Sequence, residues 1–155
     1  MDRDFDIKRL DAGDVDVLRK LAKHLRPQDK EEMKASGITD FFLEVKNTVR
    51  YSKECYKVLT PSNAVIACFG IIHTNAGGQI WLLGTNLLRQ YRKSFVKLSN
   101  DILSQWQRKY GKLFNYVSAQ NTESIKWLKF IGAKMEEKHV YNGHVFIRFE
   151  IERMS

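Results

Sequence analysis

The sequence predicts an α/β fold built on one mixed β-sheet of six or seven strands, with helices on its faces. Three observations lead to this class. Apolar spacing changes from helical to strand-like near Tyr56, a strand-like run at 113–119 lies between helical stretches, and Asn142-Gly143 marks a terminal hairpin. We predict the order β-α-α-β-β-β-α-β-α-β-β within a single domain at residues 1–155, since about 150 residues is a common domain size.

The first part of the chain predicts a strand and a helix. Apolar and charged residues alternate over 5–10, which indicates a short strand. Asp14 is the predicted N-cap of a helix whose apolar residues recur every three or four positions, and Pro27 closes or redirects that helix. The polar stretch 28–37 carries no predicted element.

A second helix and an antiparallel meander follow. Either Thr39 or Asp40 caps this helix, which carries apolar residues on adjoining faces as far as Val49. Turn residues at 60–63 and 74–78 then separate three strand-like runs. The predicted strands are Tyr56–Leu59, Ala64–Ile72 and Gln79–Gly84.

The rest of the chain predicts a crossover and a terminal hairpin. Apolar residues recur at helical spacing from Asn86 to Lys109, and Tyr110-Gly111 forms the C-cap. The elements predicted after this helix are the strand Leu113–Ala119, a helix from Asn121 to Gly132, and the strands Lys134–Tyr141 and Val145–Glu152.

Composition and charge exclude several classes of protein. With 43% apolar residues the chain can form a packed core, so global disorder is excluded. No apolar run approaches the roughly 20 residues that span a bilayer, so we expect a soluble, cytoplasmic protein. Cys55 and Cys68 make neither a disulfide framework nor a metal pair, and we predict no metal site. The net charge of +8 favours anionic partners.

Two sets of residues carry a resemblance to known proteins. The element order together with the segment 117–133, in which Asn121, a short helix and Gly132 follow a strand, resembles the GNAT N-acyltransferase superfamily. More narrowly, Trp81–Thr85 and Asn115-Tyr116-Val117 leading to Asn121-Thr122 and Ile125–Leu128 resemble the GNAT-like proteins of tailed bacteriophages, some of which are internal virion proteins. The resemblance implies a GNAT-like fold and a phage-encoded chain.

The resemblance also implies a site for acetyl-CoA or another acyl-CoA. In the superfamily two neighbouring parallel strands splay apart and the pantetheine arm lies between them, which here implicates 79–84 and 113–119. Leu83 and Gly84 would offer backbone groups, the turn 89–94 would hold the phosphates, and Asn121 would orient the pantetheine arm. The implied cofactor-binding residues are Leu83, Gly84, Arg89, Gln90, Tyr91, Arg92, Lys93, Ser94 and Asn121.

Two features depart from the superfamily pattern. Arg92 and Ser94 occupy small-residue positions of the phosphate turn, where basic side chains would bind phosphate by charge instead. Leu128 occupies the position where many members carry a Tyr that protonates the leaving thiolate. Tyr116 or Tyr141 could substitute for that acid, although each is more often a packed aromatic residue.

The candidate base and the basic residues allow two interpretations each. His73 could face the gap between the strands and accept a proton from an amine, or it could be a strand-end histidine in solvent. Basic residues around the long helix could attract CoA phosphates or nucleic acid, or form a solvated helix face. No nucleic-acid-binding motif accompanies them. These residues are Arg89, Arg92, Lys93, Lys97, Arg108, Lys109 and Lys112.

The sequence therefore supports two hypotheses of function. The first is a GNAT-like N-acyltransferase that transfers an acetyl or acyl group from acyl-CoA to an amine. The alternative is a catalytically degenerate GNAT-like protein that acts in virion assembly or contacts a host protein. Such a chain would reside in the host cytoplasm or in the virion. An open gap favours the first hypothesis, and a gap filled by Trp81, Tyr91 and Phe95 favours the alternative.

Overall fold

A seven-stranded mixed sheet forms the centre of the molecule, in a computed structural model that describes residues 4–152. The ends of the predicted domain, residues 1–3 and 153–155, lie outside the described residues. The strands are β1 (Asp6–Arg9), β2 (Glu54–Leu59), β3 (Val65–Thr74), β4 (Gly77–Gly84), β5 (Leu113–Ser118), β6 (Ala133–Tyr141) and β7 (His144–Ile151). The helices are α1 (Val15–Lys23), α2 (Pro27–Ala35), α3 (Phe41–Tyr51), α4 (Arg92–Tyr110) and α5 (Thr122–Phe130).

The strand order confirms the predicted mixed sheet. The sheet runs β1-β2-β3-β4-β5-β7-β6, and every neighbouring pair is antiparallel except β4 and β5. The long connection through α4 allows the parallel pair, because parallel neighbours need a crossover. At the terminal hairpin, Asn142 and Gly143 have φ values of 52° and 75°, which suit the tight turn predicted there.

Helices cover both faces of the sheet, as predicted. On one face α4 and α5 bury Phe95, Trp106 and Leu128 against the sheet. On the other face the first three helices pack a second cluster that includes Leu21 and Val45. Along β4, Ile80 and Leu82 pack toward the first cluster, whereas Trp81 and Leu83 pack toward the second. The strand β4 therefore lies between the two cores.

The polar stretch 28–37 is the main correction to the predicted order, because most of it belongs to the helix α2. Pro27 begins this helix instead of closing the previous one. Proline suits the first helical position, where its fixed φ is already helical and its missing N–H is not needed. The helix buries Asp29, Met33 and Ala35, so its inner face is partly polar and gives little apolar periodicity.

A second correction concerns the start of the long helix. Residues Asn86–Tyr91 form a 3-10 helix that leads directly into α4, whereas the sequence predicted one α-helix from Asn86. The Thr85 hydroxyl caps the 3-10 helix by accepting from the Leu87 N–H at 3.3 Å. The tighter turn keeps Leu88 and Tyr91 buried. The predicted phosphate turn is therefore helical throughout.

Helix caps were predicted with mixed success. Asp40 caps α3, since its Oδ1 accepts from the Leu43 N–H at 3.0 Å. Asp14 does occupy the N-cap position of α1, but its carboxylate accepts from the Asp11 N–H and from Lys57 Nζ instead. The hydrogen bond from the Leu43 N–H shows that Asp40, and not Thr39, caps α3.

Candidate functional site

The parallel strands β4 and β5 pair only at their beginnings. Their register comprises Gly78 opposite Leu113 and Gln79 opposite Phe114. Beyond these pairs the Asn115 side chain replaces the backbone hydrogen bonds between the two strands. Its Nδ2 donates to the Ile80 carbonyl, and its Oδ1 accepts from Gln79 Nε2. The predicted parallel neighbours are confirmed, and the two strands separate from this point to their carboxyl ends.

Leu82 presents its backbone groups to the gap between these strands. Gly78 N–H and the Ile80 carbonyl both bond toward β5, and along any β-strand alternate residues point their backbone groups to the same side. The register between β3 and β4 has no irregularity, so Leu82 follows the same alternation and Leu83 points its backbone groups toward β3. The backbone groups that face the gap are therefore those of Leu82, and not those of Leu83 as the resemblance implied.

Gly84 is also unavailable, although the resemblance implied that it offers backbone groups. Its N–H donates to Asp29 Oδ2 at 2.8 Å, and its carbonyl accepts from the Arg26 N–H at 2.9 Å. A side chain at this position would approach Leu88 and Arg26 to 2.9 and 3.0 Å. Gly84 thus serves close packing of α2 onto the end of β4.

The gap opens into a cleft of about 1150 Å³. Its walls come from β4, β5, α2, α4 and α5, and its floor is apolar, with Phe69, Leu103, Trp106 and Phe149. Phe95 and Trp81 lie at the walls without filling it, and Tyr91 does not line it. A cleft of this size with an apolar floor and a few polar groups is typical of a small-molecule site.

The structure separates the nine implied cofactor residues into two groups. Those that line the cleft are Leu83, Arg89, Arg92, Lys93 and Asn121. Those outside the cleft lining are Gly84, Gln90, Tyr91 and Ser94. Tyr91 is buried in the core, with its ring centroid 6.2 Å from that of Phe5, because the 3-10 helix turns its side chain inward. Its implied role in phosphate binding is therefore wrong.

The mouth of the cleft is cationic. Arg92 forms an ion pair with Glu123 at 2.6 Å, and Arg89 lies 3.8 Å from the same carboxylate. Lys93 and Lys126 also line the mouth, and neither forms an ion pair within residues 4–152. Glu123 pairs with the two arginines, so Lys93 and Lys126 leave an excess of positive charge at the mouth, where an anion could bind.

Asn121 joins α5 to α2 across the cleft. Its Oδ1 caps α5 by accepting from the Ser124 N–H at 3.2 Å, and its Nδ2 donates to Glu32 Oε1 at 2.8 Å. Glu32 Oε1 also accepts from the Ser118 N–H at 3.0 Å. Burial raises the pKa of Glu32, although the bonds from Asn121 and Ser118 act in the opposite direction. No sequence pattern pointed to Glu32 beyond its place in a polar stretch.

The predicted acid–base candidates lie in different places. His73 is exposed at the end of β3, opposite Gly78 and 5.6 Å from the Tyr110 ring, so of its two interpretations the structure favours the strand-end histidine in solvent over a base that faces the gap. The strands still pair beside His73 and separate at their other end. Tyr116 lines the cleft and is 41% exposed, whereas Tyr141 lies outside the lining at the hairpin. Leu128 is buried and also lines the cleft.

A family model described as bacteriophage T7, probable scaffold protein Gp13, matches residues 57–140, which is more than half of the chain. The probable scaffold protein gp13 of Escherichia phage T7 is 30% identical over 112 residues, 72% of this chain and 75% of that protein. The chain belongs to the gp13 family.

Solved structures show that this gp13-family chain has the GNAT fold. A chimera of the spermidine N-acetyltransferase SpeG from Vibrio cholerae and hSSAT aligns with a TM-score of 0.67 at 16% identity, covering 95% of this chain and 94% of that one. A putative GnaT-family acetyltransferase from Bordetella pertussis gives 0.67 at 12% identity, covering 94% of each chain. IAA acetyltransferase from Bacillus cereus aligns with a TM-score of 0.62 at 13% identity, covering 97% of this chain and 100% of that one.

Two kinds of feature are absent from the part of the gp13-family chain that the structure describes. None of its helices has both the length and the apolar character needed to cross a membrane. Its His, Cys, Asp and Glu residues form no group of three or more arranged to hold a metal ion.

Proposed function

We propose that the cleft binds an acyl-CoA and that the protein transfers the acyl group to an amine. The observation that carries this proposal is the separation of β4 from β5, which leaves an open cleft beside the backbone groups of Leu82. The GNAT fold supports the proposal, because the structures that share it include acetyltransferases. A phage-encoded member of the gp13 family would carry out this reaction in the host cytoplasm.

The residues of the cleft fit the three chemical parts of acyl-CoA. The N–H and carbonyl of Leu82 would bond the amides of the pantetheine arm, and the apolar floor would contact its methylene groups. Arg92, Lys93 and Lys126 would bind the phosphates through charge-assisted hydrogen bonds. When bound, acyl-CoA supplies an activated thioester. The protein would act mainly by orienting the reactants and by hydrogen bonding to a carbonyl in the gap.

Tyr116 is our candidate for the general acid. It lines the cleft from β5, and its ring makes an edge contact with His139 at 5.5 Å between centroids. Leu128, at the position where the superfamily often has its acid, cannot donate a proton. Changing Tyr116 to Phe removes the hydroxyl while keeping the ring.

Calorimetry with acetyl-CoA tests the binding proposal. We expect binding to the native protein and at least about tenfold weaker binding to the double variant Arg92→Glu, Lys93→Glu, because each charge-assisted bond contributes about 1.5–3 kcal/mol. The matched control is Lys97→Glu, Arg108→Glu, which makes the same charge change at exposed α4 positions outside the cleft lining. The control should bind like the native protein. Absence of heat at millimolar acetyl-CoA would refute the proposal.

A second candidate function is a role in virion assembly. The observation that favours it is membership in the gp13 family, whose T7 member is a probable scaffold protein. The buried Leu128 and the helical phosphate turn are consistent with a chain that has lost catalysis. Immunoblots of purified virions and of immature particles test this function. Absence of the protein from both kinds of particle would contradict an assembly role.

A further inference from the structure

We infer that Asp29 and Glu32 of α2 are positioning residues that together fix the separation of β4 and β5 at the open end of the cleft. We refer to them as the α2 carboxylate pair. Each carboxylate accepts the backbone N–H of the last residue of one strand, Gly84 in β4 and Ser118 in β5. One helix thus holds both strand ends.

Asp29 forms the end of the pair that contacts β4. Its Oδ2 accepts from Gly84 N–H at 2.8 Å, and Arg26 fixes the carboxylate with two bonds of 3.0 Å. Asp29 is only 6% exposed, and the Arg26 N–H bonds the Gly84 carbonyl in turn. A buried, charge-assisted arrangement of this kind holds a definite geometry.

Glu32 forms the end that contacts β5. Its Oε1 accepts from the Ser118 N–H at 3.0 Å and from Asn121 Nδ2 at 2.8 Å. Because Asn121 also caps α5, this contact fixes the junction between β5 and α5 and not the strand alone. A second link between α2 and α5 is the hydrogen bond that Gln28 Nε2 donates to Glu123 Oε2 at 3.4 Å.

The positions of Asp29 and Glu32 along α2 suit two strands whose ends are separated. Paired strands lie about 4.8 Å apart, a distance bridged by their own backbone hydrogen bonds. In residues 4–152 no hydrogen bond joins the ends of β4 and β5 directly. Residues three apart on a helix lie on the same face, so Asp29 and Glu32 can reach in the same direction to two different strands.

The neighbouring acid on α2 makes no such contact. Glu31 is 75% exposed and lies 3.9 Å from Lys34, an exposed ion pair on the outer side of the helix. The contrast between Glu31 and Glu32 provides a matched control within one helix. If acyl-CoA binds as proposed above, the α2 carboxylate pair also determines the width available to its pantetheine arm.

Electron paramagnetic resonance tests the inference without any ligand. Spin labels are attached at Asn86→Cys and Gln120→Cys, which are exposed positions just beyond β4 and β5. The native Cys55 and Cys68 are buried, so the labels go to the introduced thiols. We expect Glu32→Ala and Asp29→Ala to shift or broaden the distance distribution, whereas Glu31→Ala leaves it unchanged.

Two conservative variants separate positioning from charge. Glu32→Gln keeps the length and an acceptor oxygen, so it should retain the native distance distribution. Glu32→Asp keeps the charge but is one methylene shorter, so it should alter that distribution. If Glu32→Ala fails to fold, these two variants decide the question alone. A native distribution in Glu32→Asp, or an altered one in Glu32→Gln, would overturn the inference.

Acetyl-CoA calorimetry on the same variants distinguishes failure of the proposed function from failure of the positioning role. We expect the affinity for acetyl-CoA to be about tenfold weaker in Glu32→Ala, because this variant leaves a buried N–H unpaired. The affinity should be unchanged in Glu31→Ala. A native protein that shows the expected distances but binds no acetyl-CoA would refute the proposed function and support the positioning role. Binding with unchanged distances in Glu32→Ala and Glu32→Asp would overturn the positioning role alone.

Discussion

Glu54, the first residue of β2, accepts hydrogen bonds from side chains of β2 and of the end of α4. Tyr110 Oη donates at 2.5 Å, Lys109 Nζ at 2.9 Å and Tyr56 Oη at 3.0 Å. Burial alone would raise the pKa of Glu54, but these bonds outweigh burial and lower it to about 2. Burial and the bond to Glu54 in turn raise the pKa of Tyr110 to about 12. The network joins β2 to the end of α4.

We predict that Glu54→Gln lowers the free energy of unfolding by about 2 kcal/mol at neutral pH, which corresponds to about 4–8 °C in melting temperature. Because the folded pKa lies below its ordinary value, the stabilisation is present above that value and is lost as pH falls toward about 2. Denaturant melts at pH 7 and pH 3 measure both effects. Glu31→Gln is the exposed control. Equal stability losses at both pH values would contradict the account.

Glu32 gives a pH dependence of opposite sign. Burial raises its pKa, so the folded state takes up a proton before the unfolded state as pH falls. The native protein should therefore gain stability relative to Glu32→Gln as pH falls from 7 through the raised pKa, until the ordinary pKa is reached. Melts of the two proteins at several pH values between 7 and 4 test this. A difference that grows in the opposite direction would show that the carboxylate is stabilised by its surroundings.

At the scale of residues, the sequence could identify the basic side chains of the cleft but not its backbone groups. Arg89, Arg92 and Lys93 are visible as charges next to a predicted helix. The proposed role of Leu82 depends on its main chain, whose direction follows from the alternation along β4, and no residue type reveals that direction. Glu32 lies on a helix without a clear apolar face, so its burial could be found only from tertiary contacts.

Among the secondary-structure elements, the beginning of β4 determines whether the parallel pair can form. Gly77 has a φ of 127°, and a side chain there would lie 2.2 Å from the Lys112 carbonyl oxygen. The next residue, Gly78, donates its N–H to that same oxygen at 2.7 Å. The close approach of these backbones brings β4 and β5 together before they separate.

We predict that Gly77→Ala costs about 3 kcal/mol of stability, because it combines a positive φ with a clash against backbone atoms. Gly143→Ala is the matched control, since Gly143 has a φ of 75° but no atom within 4 Å of an added Cβ. The control should cost about 1 kcal/mol. Thermal melts distinguish the two variants. Equal melting temperatures would mean that β4 and β5 do not need this close contact.

The element-scale predictions from sequence failed where local rules allow two outcomes. Proline both ends and begins helices, so Pro27 alone could not reveal that 28–35 is helical. Over so short a stretch, the apolar spacing that begins at Asn86 fits a 3-10 helix and an α-helix equally well. The burial of Leu88 and Tyr91, three residues apart, is what favours the 3-10 helix. The terminal hairpin was predictable because Asn-Gly specifies its own turn.

At the scale of the whole molecule, the mixed sheet with helices on both faces was predictable from periodicity and connection lengths. The long connection through α4 allows β4 and β5 to be parallel, and the short turns of the meander make the preceding strands antiparallel. The volume of the cleft was not predictable, because it depends on how far two strands diverge and on how α2 holds them apart.

We propose that acyl-CoA binds beside Leu82 in the gap between β4 and β5. The decisive experiment is a titration of the ¹⁵N-labelled protein with acetyl-CoA, followed by amide chemical shifts. We predict a saturable shift of the Leu82 amide together with those of Arg92 and Lys93, while Asn142 and Gly143 at the distant hairpin stay unchanged. A Leu82 amide that does not move at millimolar acetyl-CoA, or saturation that moves only amides outside the cleft, would contradict the claim.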